Sequence, residues 1–100
     1  MGLTVEIARR ARIQPVIHSG MELIAASDMN NFLLAARLGG QKLLGVEGFL
    51  LSGKVAIPDM DAIADFSKSA TNPQIDTIEE AMRFVEFTAS KGLFYELTYL

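Results

Sequence analysis

The stretch from Lys42 to Leu51 constrains this chain most. Leu43, Leu44, Val46, Phe49, Leu50 and Leu51 put apolar groups on both sides of any extended segment. Such a strand is either covered on both faces or meets a partner on one of them. Ser52-Gly53 supplies a tight turn, and residues 54–57 return as a short strand that Pro58 stops. The other elements have to form around this hairpin.

The clearest of them comes last. Thr77 and Glu80 have capping-box spacing, and Asp76, Glu79 and Glu80 place negative charge where a helix dipole favours it. Ile78, Ala81, Met82, Val85 and Ala89 then recur on one stripe, which predicts a helix over residues 77–90, ended by Lys91-Gly92. Residues 93–100 read as a strand, with Leu93, Tyr95, Leu97 and Tyr99 on one face and Phe94, Glu96, Thr98 and Leu100 on the other. If this strand is an edge, it can pair with another chain.

Upstream, Ser27 or Asp28 can cap a helix carrying Met29, Phe32, Leu33 and Ala36, closed by Gly39-Gly40. Residues 21–25 are a candidate strand, with 16–18 as its alternative or extension. The succession is strand, helix, strand, strand, helix, strand. This is an α+β pattern of ferredoxin-like βαββαβ order, with helices on one face of an antiparallel sheet and an insertion at 58–75. In that insertion Asp59 caps one or two helical turns over 59–66, and residues 68–74 form a loop. An α+β sheet with another strand order is the alternative. The 100 residues suit one domain. Its first 15 are peripheral or an extra strand, since Leu3, Val5 and Ile7 alternate, although the same stretch tolerates a helix.

Composition removes several chemistries. The absence of cysteine excludes disulfides and thiolate sites, and the single histidine, His18, excludes a two-histidine metal motif. No apolar run is long enough to span a bilayer, and the N-terminal residues lack a secretory pattern, so a cytoplasmic protein is expected, with no membrane partner. The net charge is −3 and uneven: residues 1–42 carry five Lys/Arg against three Asp/Glu, and residues 43–100 carry four against nine. Three arginines at positions 9–12 of an acidic chain are a weak footprint for nucleic acid. An acidic face steering a basic partner fits better.

Few residues invite catalysis. Asp59, Asp61 and Asp65 have a spacing that suggests a hard cation. Their neighbours supply no further oxygen ligands, and helix capping accounts for them more simply. His18 precedes Ser19-Gly20 in a turn and has no nucleophile context. Gly39-Gly40 follows a helix, whereas a phosphate loop precedes one. Glu47 is the unusual residue, a carboxylate between Gly45 and Gly48 in the most apolar strand. It is a contact residue, or a carboxylate with a raised pKa, or a structural carboxylate that points at the open face beside arginine or lysine or sits at a bulge created by the glycines. Tyr95 and Tyr99 offer area with a polar tip, while Phe49 and Phe94 suit core-facing positions.

At Gly45-Val46-Glu47-Gly48-Phe49, Pro58-Asp59-Met60-Asp61 and Ala64-Asp65-Phe66 the chain resembles small acidic bacterial toxin-immunity proteins, over residues 43–67. The resemblance implies a non-catalytic inhibitor that blocks the active site or substrate groove of a toxin. Together with the charge pattern it gives the expectation of a protein-binding domain for a basic partner such as a nuclease. Glu47, Phe49, Asp59, Asp61, Asp65 and Tyr95 form the contact, without metal, cofactor or catalytic residue. The alternative is a ferredoxin-like ligand-sensing or regulatory domain acting as a homodimer.

Overall fold

Three amphipathic helices share one side of an antiparallel sheet, where their apolar stripes are buried together. The computed structural model describes residues 2–100. In chain order they form α1 (Leu3–Arg10), β1 (Val16–His18), β2 (Met21–Ala25), α2 (Met29–Leu38), β3 (Leu43–Ser52), β4 (Val55–Asp65), α3 (Ser67–Ala70), α4 (Thr77–Thr88) and β5 (Phe94–Tyr99). From β2 to β5 this is the expected α+β succession. Across the sheet the strands run β1-β2-β5-β3-β4, with every neighbouring pair antiparallel. The last strand is therefore interior, between β2 and β3, and the edges are β1 and β4.

Ile7 of α1, Phe32 and Leu33 of α2, and Ile78 and Val85 of α4 pack on Ile24, Val46, Tyr95 and Leu97 of the sheet. Each such side chain contributes ~1.5–3 kcal/mol when withdrawn from water. Polar groups in this layer are paired inside the chain. The Tyr95 hydroxyl lies 2.6 Å from Thr88 Oγ1, and its ring meets Phe84 edge-on at 6.3 Å. Tyr99 and Thr4 hydroxyls are 2.6 Å apart. Thr77, expected as the cap of α4, instead accepts the Leu43 N–H, and Asp76 caps the helix by accepting from the Ile78 and Glu79 N–H groups. Asp76 also holds Arg37 at 2.6 Å, tying α4 to the end of α2.

Several expectations are corrected. The N-terminal residues form helix α1 rather than a strand, because the Glu22 carboxylate of β2 accepts the Gly2 and Val5 N–H groups and caps it from a distance. Residues 16–18 and 21–25 are two strands, joined by Ser19-Gly20 with φ of 50° and 80°, the left-handed pair of a two-residue hairpin turn. Neither Ser27 nor Asp28 caps α2 with its side chain; a 3-10 turn over Ala26–Asp28 leads into it.

Pro58 does not end the second hairpin strand, and residues 59–66 are not helical. β4 continues to Asp65. It is an edge strand, where a missing N–H is tolerated. Asp59, expected as a helix cap, accepts the Asp61 N–H at 2.9 Å inside a bulge, where Glu47 to Phe49 on β3 spans Ile63 to Pro58 on β4. The insertion thus reduces to α3 and the loop after it. No helix among the described residues is long and apolar enough to cross a membrane.

Candidate protein-binding face

Helices α1, α2 and α4 share one side of the sheet. Cross-strand partners point to the same face, so the register defines what the other side carries. Since Tyr95 points at α4, its strand neighbours Phe94 and Glu96 point away. Three rows follow. The first is Asp65–Gly45–Thr98, the second Ile63–Glu47–Glu96, and the third Pro58–Phe49–Phe94–Ala25. Glu47 and Glu96 stand directly opposite each other beside two aromatic rings.

The local sequence explains this arrangement. Gly45 leaves a shallow hollow of about 300 Å³ between Glu47, Asp65, Ile63 and Thr98. A Cβ at position 45 would lie 2.9 Å from the Ala64 carbonyl oxygen, so the strands approach here only because the residue is glycine. Gly48 does the same on the other side, where a Cβ would meet Leu93 and Ala62 of the core. The two glycines flank Glu47 and let β3 bulge against both neighbours.

Phe49 and Phe94, expected to face the core, lie on this open face. Phe49 is nonetheless 7% exposed and stands outside the main core cluster. Phe94, Glu47 and Glu96 are half-buried, and Ile63, Thr98 and Asp65 are exposed. Burial, then repulsion from Glu47, pushes the Glu96 carboxyl above its ordinary value. Among the described residues no salt bridge joins Glu47 or Glu96 to a cation. Like charges opposite each other destabilise a sheet.

The other expected contact residues divide. Asp65 shares the open face, and the Ser67 N–H and hydroxyl hold its carboxyl below the usual value. Asp59 is engaged elsewhere: the Asp61 N–H and then the Lys91 ammonium, 3.1 Å away, lower its pKa. Asp61 is exposed along the β4 edge. Tyr95 is a correction, since it is fully buried against α4 on the covered side of the sheet and not on a surface. Glu96, which the sequence does not single out, stands opposite Glu47 on the open face. Its alternation with Leu97 placed it on the face away from the core, but nothing local set it opposite Glu47.

No family model, curated protein or solved structure matches this chain. Function has to be read from the geometry of this face. Ser19 Oγ approaches His18 Nδ1 at 3.4 Å on the exposed hairpin turn, and no third group among the described residues orients the ring. Among the described residues, no three His, Asp or Glu side chains gather closely enough to hold a metal ion.

Proposed function

We propose that this chain is a non-catalytic protein-binding domain that neutralises a basic partner such as a nuclease toxin, a reading supported by the toxin-immunity resemblance over residues 43–67 and by the acidic charge pattern. The observation that carries this reading is the unpaired Glu47–Glu96 row beside the Phe49–Phe94 row on the side of the sheet that no core helix covers. Anionic groups next to apolar area suit a surface that competes for cations otherwise used to hold a phosphate backbone. Phe49 is already nearly buried, so half-buried Phe94 and exposed Ile63 supply the accessible apolar area for affinity, and the charges supply rate and selectivity.

Homodimerisation through the free β4 edge draws less support. Pro58, the bulge and the aspartates at 59, 61 and 65 are devices that discourage strand pairing with a like chain.

The test uses the product of the reading frame next to this gene. The wild-type chain is expected to bind it and abolish its activity, with association slowed by salt. Glu47→Lys with Glu96→Lys should weaken binding by about 100-fold, close to 2.7 kcal/mol. Undiminished binding by that double variant, or a neighbouring product indifferent to the wild-type chain, overturns the reading.

A further inference from the structure

The open face has a more specific complement than positive charge in general. Read from the register, Glu47 and Glu96 occupy adjacent strands in one row, and Phe49 and Phe94 occupy the next row on the same strands. The four side chains form a square of two carboxylates and two rings on the face opposite the core helices. Resting on the protein-binding reading above, we infer that the occupant of this square is an arginine side chain of the partner protein, with its guanidinium between Glu47 and Glu96 and its plane against Phe94.

The chemistry selects arginine over its rivals. Cβ atoms of directly opposed residues in an antiparallel pair lie about 4.5–5.5 Å apart, so two carboxylates converge on the same volume. A planar guanidinium has donors along several edges and can bond both at once, whereas an ammonium is a compact, strongly hydrated point charge. The guanidinium plane also stacks on an aromatic ring. A hard divalent cation is a poorer occupant. It wants six or more oxygens, and Asp65, the nearest carboxylate by register, is one row away and accepts the Ser67 N–H at 2.9 Å. A nucleic acid would meet like charge. A second copy laid face to face would oppose four carboxylates in one patch.

Glu96 is half-buried and faces Glu47, and both burial and that neighbour raise its pKa, a penalty on its charged form that a cation between the two groups relieves. Flanking residues add apolar contact for the methylene stem of the incoming side chain, with Ile63 on one side and Ala25 on the other.

The experiment is an amide-resolved NMR titration of the full chain with three blocked tripeptides, Gly-Arg-Gly, Gly-Lys-Gly and Gly-citrulline-Gly. The arginine peptide is expected to shift amides of residues 45–49 and 94–98 with a dissociation constant on the order of millimolar. It should bind about fivefold or more tightly than the lysine peptide, while neutral citrulline leaves those amides in place. Glu47→Gln with Glu96→Gln, which keeps the shape and removes the repulsion, should abolish the shifts in a spectrum that remains that of a folded chain. Equal lysine and arginine responses, shifts centred elsewhere, or shifts that persist in the double variant overturn the inference. The two proposals fail separately. A basic partner neutralised equally well by the Gln variants removes the arginine seat and leaves the inhibitor. Arginine-selective shifts in a chain that neutralises nothing remove the inhibitor and leave the seat.

Discussion

On the side of the sheet packed by helices, polar groups find partners within the chain: Tyr95 with Thr88, Tyr99 with Thr4, and Thr77 with the Leu43 N–H. No buried side-chain nitrogen or oxygen among the described residues lacks a hydrogen bond. On the other side, two strands away at most, Glu47 and Glu96 oppose each other without a cation. One face satisfies its polar groups within the chain, and the other sets two carboxylates against each other. On the function proposed above, stability and binding fall on opposite sides of one sheet.

The largest expected effect contrasts two adjacent residues of β5. Tyr95→Ala should cost about 3–5 kcal/mol, since it empties a fully buried ring site and removes the hydroxyl that pairs with Thr88 Oγ1. Phe94→Ala, one residue away on the half-buried open face, should cost about 1 kcal/mol. Urea denaturation of both variants measures the ratio. Equal costs would mean that the open face is a second core and not a surface waiting for a partner.

A smaller effect sharpens the comparison within β3. Gly48→Ala adds a methyl 2.7 Å from Leu93 Cδ1 and 3.1 Å from Ala62 Cβ, both on the core side. The Leu93 end can turn, but its surroundings are packed, so a loss of about 1–2 kcal/mol is expected by thermal or urea unfolding. A neutral result would show that the core next to Glu47 has slack, and that the close approach of strands there is not what places the carboxylate.

Much of the covered face was legible in the sequence, and little of the open one. The α4 stripe and the alternation of Leu93, Tyr95 and Leu97 are local patterns, and both survive into the structure because burial enforces them. β4 was not legible: Pro58 and the aspartates after it are locally good stop and cap signals, but pairing with β3 outweighs them at an edge where proline is tolerated. Helix α1 is capped by Glu22, a residue on another element, so no local signal marks its start. The same holds for the candidate site. Glu47 drew notice for its odd surroundings, but its opposition to Glu96 depends on the register between β3 and β5, which a bulge between Leu43 and Gly45 adjusts. Register of that kind is a property of the assembled sheet.

The smallest expected effect is the one with the opposite sign. Glu96→Gln removes a charge that is half-buried and repelled by Glu47, so it should raise stability at neutral pH by about 0.2–1 kcal/mol while weakening binding. Its pH dependence follows from linkage. A carboxyl whose folded pKa lies above its ordinary value of 4.5 favours the folded state when protonated, so wild-type stability gains from Glu96 as pH falls through the raised value and loses that gain as pH rises through it. Asp59 and Asp65 act in the other direction and lower on the scale. Their folded values lie below the ordinary 3.8, so their contribution is present above that value and is lost as pH falls through the folded ones. The difference in stability between wild type and Glu96→Gln should therefore be widest at neutral pH and narrow on acidification before Asp59 and Asp65 protonate. Repeating the comparison in a Glu47→Gln background isolates the pair, because the advantage of Glu96→Gln should shrink when the opposing charge is already gone. An advantage that ignores both pH and the residue at position 47 would mean that the two carboxylates do not meet. The open face would then be no more than the polar side of a sheet.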